Sequence, residues 1–367
     1  MGKKRNSSIE LLRIIMILSI IAHHLLVNSQ LYIETKGSFS IKYIIMFVFG
    51  MGGKIGLNVF LIISGYFMCK SYVTVLRWLK LFIEIMFYSF VINIIFIIIG
   101  YKPFGTSDII KGLFPFVFGL GMSSDYYPAL FLVLLLIIPF INKLIEAISK
   151  KEFQVLLVIL IFIFTVVSSF SFIFISTINK WTIVDVWEGV AWYATAYMVG
   201  AYIRLYFNPK FDNLKNGLIS TIACIVLAIS SVVLLAYLNC GITQYHFVAR
   251  SNKILAILTA VSLFILFKNI NMPYNRFVNT VASATFGVLL LHSNNLTLRN
   301  MIWDKIFRVK RFVLSNAPIM LIKMIATVLI LYIVCVIISL LVKRVILEPI
   351  YKKLATIEIL NKKMYTD

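Results

Sequence analysis

The chain has 367 residues, 61% of them hydrophobic and only 13% charged, with a mean hydropathy of +0.97. Soluble domains carry about 25% charged residues, so this composition excludes a soluble globular protein and indicates a polytopic membrane protein. The net charge of +21, from 35 Lys+Arg against 14 Asp+Glu, is spread over short stretches between apolar runs. Nucleic acid is therefore not the expected partner, and topology with contact to anionic membrane lipid accounts for the excess.

A spanning helix needs about 20 mostly apolar residues. Taken in chain order, that rule places spans near residues 9–28, 54–70, 79–100, 126–145, 153–175, 187–206, 216–238, 251–268, 280–298 and 319–342. The fold class is all-α, a polytopic integral membrane helical bundle of about ten transmembrane helices. Residues 1–342 form the membrane domain. Residues 343–367 are read as a basic amphipathic tail on the inner membrane surface. The first run reads as a retained span, because no small-x-small cleavage site follows "AHHLLVNSQLY". Two stretches, 43–51 and 109–121, are too short or too broken by Gly and Pro to cross, and read as interfacial or re-entrant.

An even number of spans puts both termini on one side, and the basic start (Lys3, Lys4, Arg5) and tail (Lys343, Arg344, Lys352, Lys353, Lys362, Lys363) place them in the cytoplasm. One loop resists this scheme: 298–312 falls outside yet carries Arg299, Lys305, Arg308, Lys310 and Arg311. Such a loop is either mis-sided or functional. The four cysteines are scattered, with no C-x-x-C pair, so neither a disulfide framework nor a metal site is expected.

The first span carries the chemistry. An α-helix turns about 100° and rises about 1.5 Å per residue. The step from Arg13 to His24 is therefore three turns plus roughly 20°, which puts both on one face about 16 Å apart. His23 points roughly 80° away from that face. Glu10, three residues before Arg13, is placed to pair with it. An imidazole in an apolar surrounding stays neutral and keeps a lone pair that can accept a proton. Ionisable groups inside a membrane are costly and generally mark a site.

Arg13 and His24, separated by ten residues, resemble the hallmark of the acyltransferase-3 family of bacterial membrane proteins. The run "GLNVFLIISGYFM" at 56–68, with Asn58, Ser64, Gly65 and Tyr66, is similar to a second element of that family. "RWLK" at 77–80 resembles its basic pair, with Lys80 in place of the second arginine. "PALFLVLLLIIPFIN" (128–142), "AYMVGAYIR" (196–204) and "ATFGVLLLH" (284–292) resemble its later spans, the last bringing His292. The resemblance covers about residues 5 to 300. No appended extracytoplasmic hydrolase domain is expected.

The resemblance implies an acyltransferase of the bacterial plasma membrane with acetyl-CoA as donor and co-substrate. Its acceptor would be a hydroxyl of a surface polysaccharide or lipid-linked glycan. It implies His24 as general base and Arg13 as polariser or anchor of the donor. Arg77 and Lys80 would attract the CoA phosphates. Glu10, His23, Ser64, Tyr66 and His292 are supporting residues. Ser64 has a second reading, as part of a Ser-Gly close helix contact. His292 either orients the acceptor or caps a helix. Glu84, four residues after Lys80, is expected to pair with it. The aromatic run 179–193, with Asp185 and Glu188, reads as an interfacial belt or a sugar platform. The alternative function is a transporter or flippase of a lipid-linked saccharide, which inverted repeats and paired broken helices would favour.

Overall fold

The structure is a computed structural model, and it describes residues 5–32, 39–101, 127–170, 189–238 and 244–365. The stretch 109–121 and the acids Asp185 and Glu188 lie outside the described residues. Nearly everything described is helical, with no strand among the described residues beyond one isolated bridge, Thr74 to Lys363.

Helix α1 (Ser7–Ser29) starts at Asn6, whose side chain accepts from the Ser8 and Ile9 amides. Helices α2 (Ile41–Gly50), α3 (Gly53–Met68), α4 (Val75–Ile98) and α5 (Tyr127–Ala147) follow. Next comes α6 (Lys150–Phe170), which passes through a π-helical stretch at Phe162–Val167. The remaining helices are α7 (Val190–Tyr206), α8 (Leu214–Leu238), α9 (Ile254–Lys268), α10 (Arg276–Ala282), α11 (Thr285–Ser293), α12 (Leu296–Asn300) and α13 (Ala317–Ala355).

Seven helical runs among the described residues are long and apolar enough to cross a membrane. They are α1, the Ile41–Met68 run of α2 and α3, α4, α5, α6, α8 and α13. The other three expected positions hold the shorter α7, α9 and the α10–α11 pair. Helices α8 and α13 expose stripes such as Ile219, Ile222, Val226 and Ile322, Ile333, Ile337, the surface that lipid tails cover. Helix α1 sits among many neighbours, in contact with α2, α3, α9, α10, α11 and α13.

One expectation changes. The 43–51 stretch is not a separate interfacial piece, since α2 stacks end to end on α3 in one run, Ile41–Met68. The turn between them is glycine-rich for a packing reason. A Cβ on Gly50 would lie 2.4 Å from the Leu26 side chain, one on Gly52 2.9 Å from Ser19, and one on Gly53 2.4 Å from His23. The start of the tail continues α13 through a π-helical turn at Lys343–Leu347 to Ala355. At about 1.5 Å per residue, the 39-residue helix is about 58 Å long, well beyond a hydrocarbon core of about 30 Å. The chain then folds back, and Met364 N donates to Val73 O at the start of α4 (2.9 Å).

The helix ends sort into two sets. At one end, Ser7 Oγ accepts from the Asn275 amide (2.8 Å), Asn142 Nδ2 donates to Met68 O (3.0 Å), and Arg204 donates to the Tyr66 hydroxyl (2.9 Å). Lys268 pairs with Asp212 there. At the other end, Lys42 Nζ donates to Val313 O (2.8 Å), Arg299 reaches Asn28 Oδ1 (3.4 Å), and His246 Nε2–H donates to Ser169 O (2.8 Å). Arg13 lies toward the first end and His24 toward the second. The first and last described residues are both at the Arg13 end.

Candidate active site

The two adjacent histidines take different partners. His23 Nδ1–H donates to Gly50 O at 2.8 Å. That carbonyl stands at the C-terminus of α2, where helix geometry leaves carbonyls without intrahelical donors. His23 therefore caps a neighbouring helix. His24 turns away from it, and its Nδ1 lies 2.9 Å from His292 Nε2 on α11.

The hydrogen positions follow from one further contact. His292 Nδ1 lies 2.6 Å from Val288 O. A carbonyl only accepts, so His292 carries its hydrogen on Nδ1 and, being neutral, offers a lone pair at Nε2. His24 must then donate from Nδ1, which leaves its own lone pair on Nε2. The fully buried His292 thus sets the tautomer of the partly buried His24, as the orienting member of a catalytic triad does for its base. When Nε2 takes a proton, the His24–His292 bond becomes charge-assisted and strengthens.

The Arg13 end is built differently. Glu10, 5% exposed, sits between Arg5 at 3.9 Å and Arg13 at 3.8 Å. Arg13 keeps a buried Nε without a hydrogen-bond partner, while 31% of its side chain remains exposed. It is an arginine with donors unspent and a face still reachable. Arg77 and Tyr127 are both within electrostatic range of Arg13. Arg77 and Lys80 also border a cavity of about 290 Å³ with Thr74, Glu84 and Tyr351.

Lys80 lies over the Tyr351 ring (5.5 Å) and accepts from the Tyr351 hydroxyl through its carbonyl (3.0 Å). The expected Lys80–Glu84 pair is not formed, since Glu84 instead approaches the Tyr351 hydroxyl and Lys343. The structure therefore brings Arg13, Arg77 and Lys80 to one end of α1 and the two site histidines toward the other.

The supporting residues divide. Ser64 Oγ donates to Phe60 O of its own helix (2.8 Å). The neighbouring Gly65 is where α3 touches α7, since a Cβ there would stand 1.9 Å from Tyr197 O. Gly200 meets Ile62 O in the same way at 2.2 Å. Ser64 and Gly65 thus mark a close helix contact. Tyr66 accepts from Arg204 and lies under both Arg204 (4.9 Å) and Lys268 (5.6 Å). Asn58, fully buried, accepts from Trp192 Nε1–H (3.1 Å) and donates to Ser251 O (2.7 Å), tying α3 to α7 and to the turn before α9.

Sequence reasoning passed over Arg299 as an individual residue. Its charge acts on His24, and its buried Nε has no hydrogen-bond partner. The only signal was its membership of the mis-sided basic loop.

Residues 6–344 match the family described as the acyltransferase-3 acyltransferase domain, nearly the whole chain. The chain belongs to the acyltransferase-3 family. No curated protein and no solved structure matches it. The acyltransferase resemblance drawn from Arg13, His24 and the 56–68 element is therefore correct at the level of family, and the protein is a membrane acyltransferase. Within this acyltransferase, α1 joins the cationic end to the histidine pair, and α11 supplies the residue that orients the histidine.

Proposed function

We propose that this acyltransferase moves an acetyl group from acetyl-CoA to a hydroxyl of a surface or lipid-linked polysaccharide, in the bacterial plasma membrane with both termini cytoplasmic. The observation that carries the reading is the His24–His292 pair, with a lone pair left on His24 Nε2, at the end of the bundle away from Arg13, Arg77 and Lys80. Cations at one end suit the phosphates of CoA, and a base near the other suits a hydroxyl that approaches from outside.

His24 Nε2 takes the acceptor hydroxyl proton as the oxygen attacks the thioester carbonyl. The tetrahedral intermediate collapses to ester and CoA thiolate, and the thiolate receives the proton from His24. Arg13, about 16 Å along the helix from His24, is too far to polarise a carbonyl at the base, so its role is to anchor the donor. Arg77 and Lys80 hold the phosphates at the mouth, with the Tyr351 ring fixing the lysine.

Reconstitution in vesicles tests this. Acetyl-CoA on the Arg13 face and a glycan on the other should give acetylated glycan with wild-type protein and none with His24→Ala. Movement of a lipid-linked saccharide without acetylation would replace this reading by a flippase.

A further inference from the structure

Toward the His24 end lies a cavity of about 680 Å³, within the range of about 300–1,000 Å³ usual for ligand sites. Tyr101, Asp304, Lys305, Arg308, Lys310 and Arg311 border it. Four bases face one acid. Asp304 lies 3.9 Å from Lys310, and among the described residues Lys305, Arg308 and Arg311 have no acidic partner within 4 Å.

Three observations set this cluster apart from a solvated basic loop. First, its side is wrong for topology. Basic residues concentrate on the cytoplasmic side of membrane proteins, yet this loop is tied to the opposite end by Arg299 to Asn28 (3.4 Å) and Lys42 to Val313 O (2.8 Å). Second, its backbone is unusual. Arg308 holds φ 50°, ψ 46°, left-handed geometry that is costly for a residue with a Cβ. The wall before it, Met301–Ile306, is π-helical, a feature frequent at functional sites. Third, it is linked to His24 through Arg299, the chain neighbour of the cavity-lining Asn300. Arg299, on the helix that leads into this wall, acts electrostatically on His24 and keeps a buried Nε without a hydrogen-bond partner.

Like charges gathered around one cavity repel until an anion enters. Two arginine forks and two lysines suit a multiply charged anion such as a phosphodiester or pyrophosphate, which arginine binds bidentately and lysine as a point charge. A single carboxylate would leave most of that charge uncompensated. We propose that this cavity binds the phosphate of a phosphate-bearing glycan acceptor and thereby presents the sugar hydroxyl to His24. The proposal rests on the acceptor side of the function given above. It narrows the acceptor to an anionic glycan, whether the phosphate lies within the polymer or links it to its lipid carrier.

The test uses the full chain in nanodiscs of phosphatidylcholine, titrated with inorganic pyrophosphate at low salt. Arg77→Ala with Lys80→Ala forms the background, so that donor-end binding does not contribute. Pyrophosphate should bind in that background. Adding Arg308→Gln and Arg311→Gln should weaken it at least tenfold, while the charge-retaining Arg308→Lys, Arg311→Lys pair should fall between. In the otherwise wild-type chain, the same glutamine pair should leave acetyl-CoA binding unchanged and slow transfer to a phosphate-bearing glycan.

Equal pyrophosphate affinity with and without the two arginines overturns the proposal. So does an absence of pyrophosphate binding in that background; loop-dependent enrichment of phosphatidylglycerol in companion nanodiscs of mixed phosphatidylcholine and phosphatidylglycerol would then make this a lipid headgroup site. Transfer to a neutral glycan at a rate the glutamine pair does not alter also overturns it, while leaving the acyl-transfer reading intact. Failure of acetyl-CoA binding or of all transfer in the wild-type chain would instead sink that underlying reading.

Discussion

Replacing His292 by leucine should lower kcat by tenfold or more while donor affinity holds. A neutral hydrogen bond contributes about 1 kcal/mol and one to a charged group about 1.5–3 kcal/mol. The difference, about 0.5–2 kcal/mol, is gained only once His24 carries the transferred proton, and alone it amounts to about 2- to 30-fold in rate. Loss of tautomer control adds to this, because nothing then holds the His24 hydrogen on Nδ1 at the 2.9 Å contact. The total should stay below the ~10⁴-fold that the corresponding loss costs a serine-protease triad, where the orienting group is a buried carboxylate.

The assay is acetyl transfer in reconstituted vesicles with kcat and KM for acetyl-CoA measured separately. Accumulation and thermal unfolding would control for folding. KM should be unchanged, since Arg13, the proposed donor anchor, lies about 16 Å away. In a double-mutant cycle the His292→Leu change should have no further effect once His24 is alanine, because the two act as one unit. A His292→Leu protein within twofold of wild type, or losses that add independently of His24, would refute the reasoning.

His23→Ala should retain most activity and lose about 1 kcal/mol of stability, the value of one hydrogen bond, read by thermal unfolding in detergent. Arg13→Ala and the Arg77→Ala, Lys80→Ala pair should each weaken acetyl-CoA binding, and rising salt should erode the contribution of the exposed Arg77 more than that of Arg13; equilibrium binding across a salt series checks both. Gly65→Ala or Gly200→Ala should lower the unfolding temperature sharply, because the new Cβ would stand 1.9 Å or 2.2 Å from a backbone oxygen of the facing helix.

What the sequence made legible was local. Span length and apolar runs gave the helical class, and a period of about 3.6 residues put Arg13 and His24 on one face and His23 off it. Each of those needs only one helix. The partner of His24 lies 268 residues away, so its identity depends on how α1 and α11 meet, which no periodicity encodes. The same holds for the "GMGG" turn at 50–53. Gly50 lies near the end of a stretch that reads as too short or too broken to cross, but the cause of the three glycines is the press of Ser19, His23 and Leu26 from α1. Tyr66 and Ser64 were candidates by motif. Tyr66 is held in a structural cation cluster, and the Ser64 hydroxyl is spent on its own helix. The outlying loop was visible as a charge anomaly, but the cavity its bases share appears only in three dimensions.

The central place of α1 has a consequence for biogenesis. Helix α1 carries an arginine and two histidines, yet several of its polar partners lie far downstream. Ser7 waits for Asn279, 272 residues on. His24 waits for His292, and Asn28 for Arg299, 271 residues on. Contacts between residues so distant in sequence form late, because each requires closure of a long loop. His23 finds a partner sooner, 27 residues away at Gly50, and Arg13 pairs with Glu10 on its own helix. His24 therefore lacks its His292 contact until α11 has inserted. On the function proposed above, a chain stalled before that point would hold the Arg13-end cations without an oriented His24, so acyl transfer would report that α11 is in place.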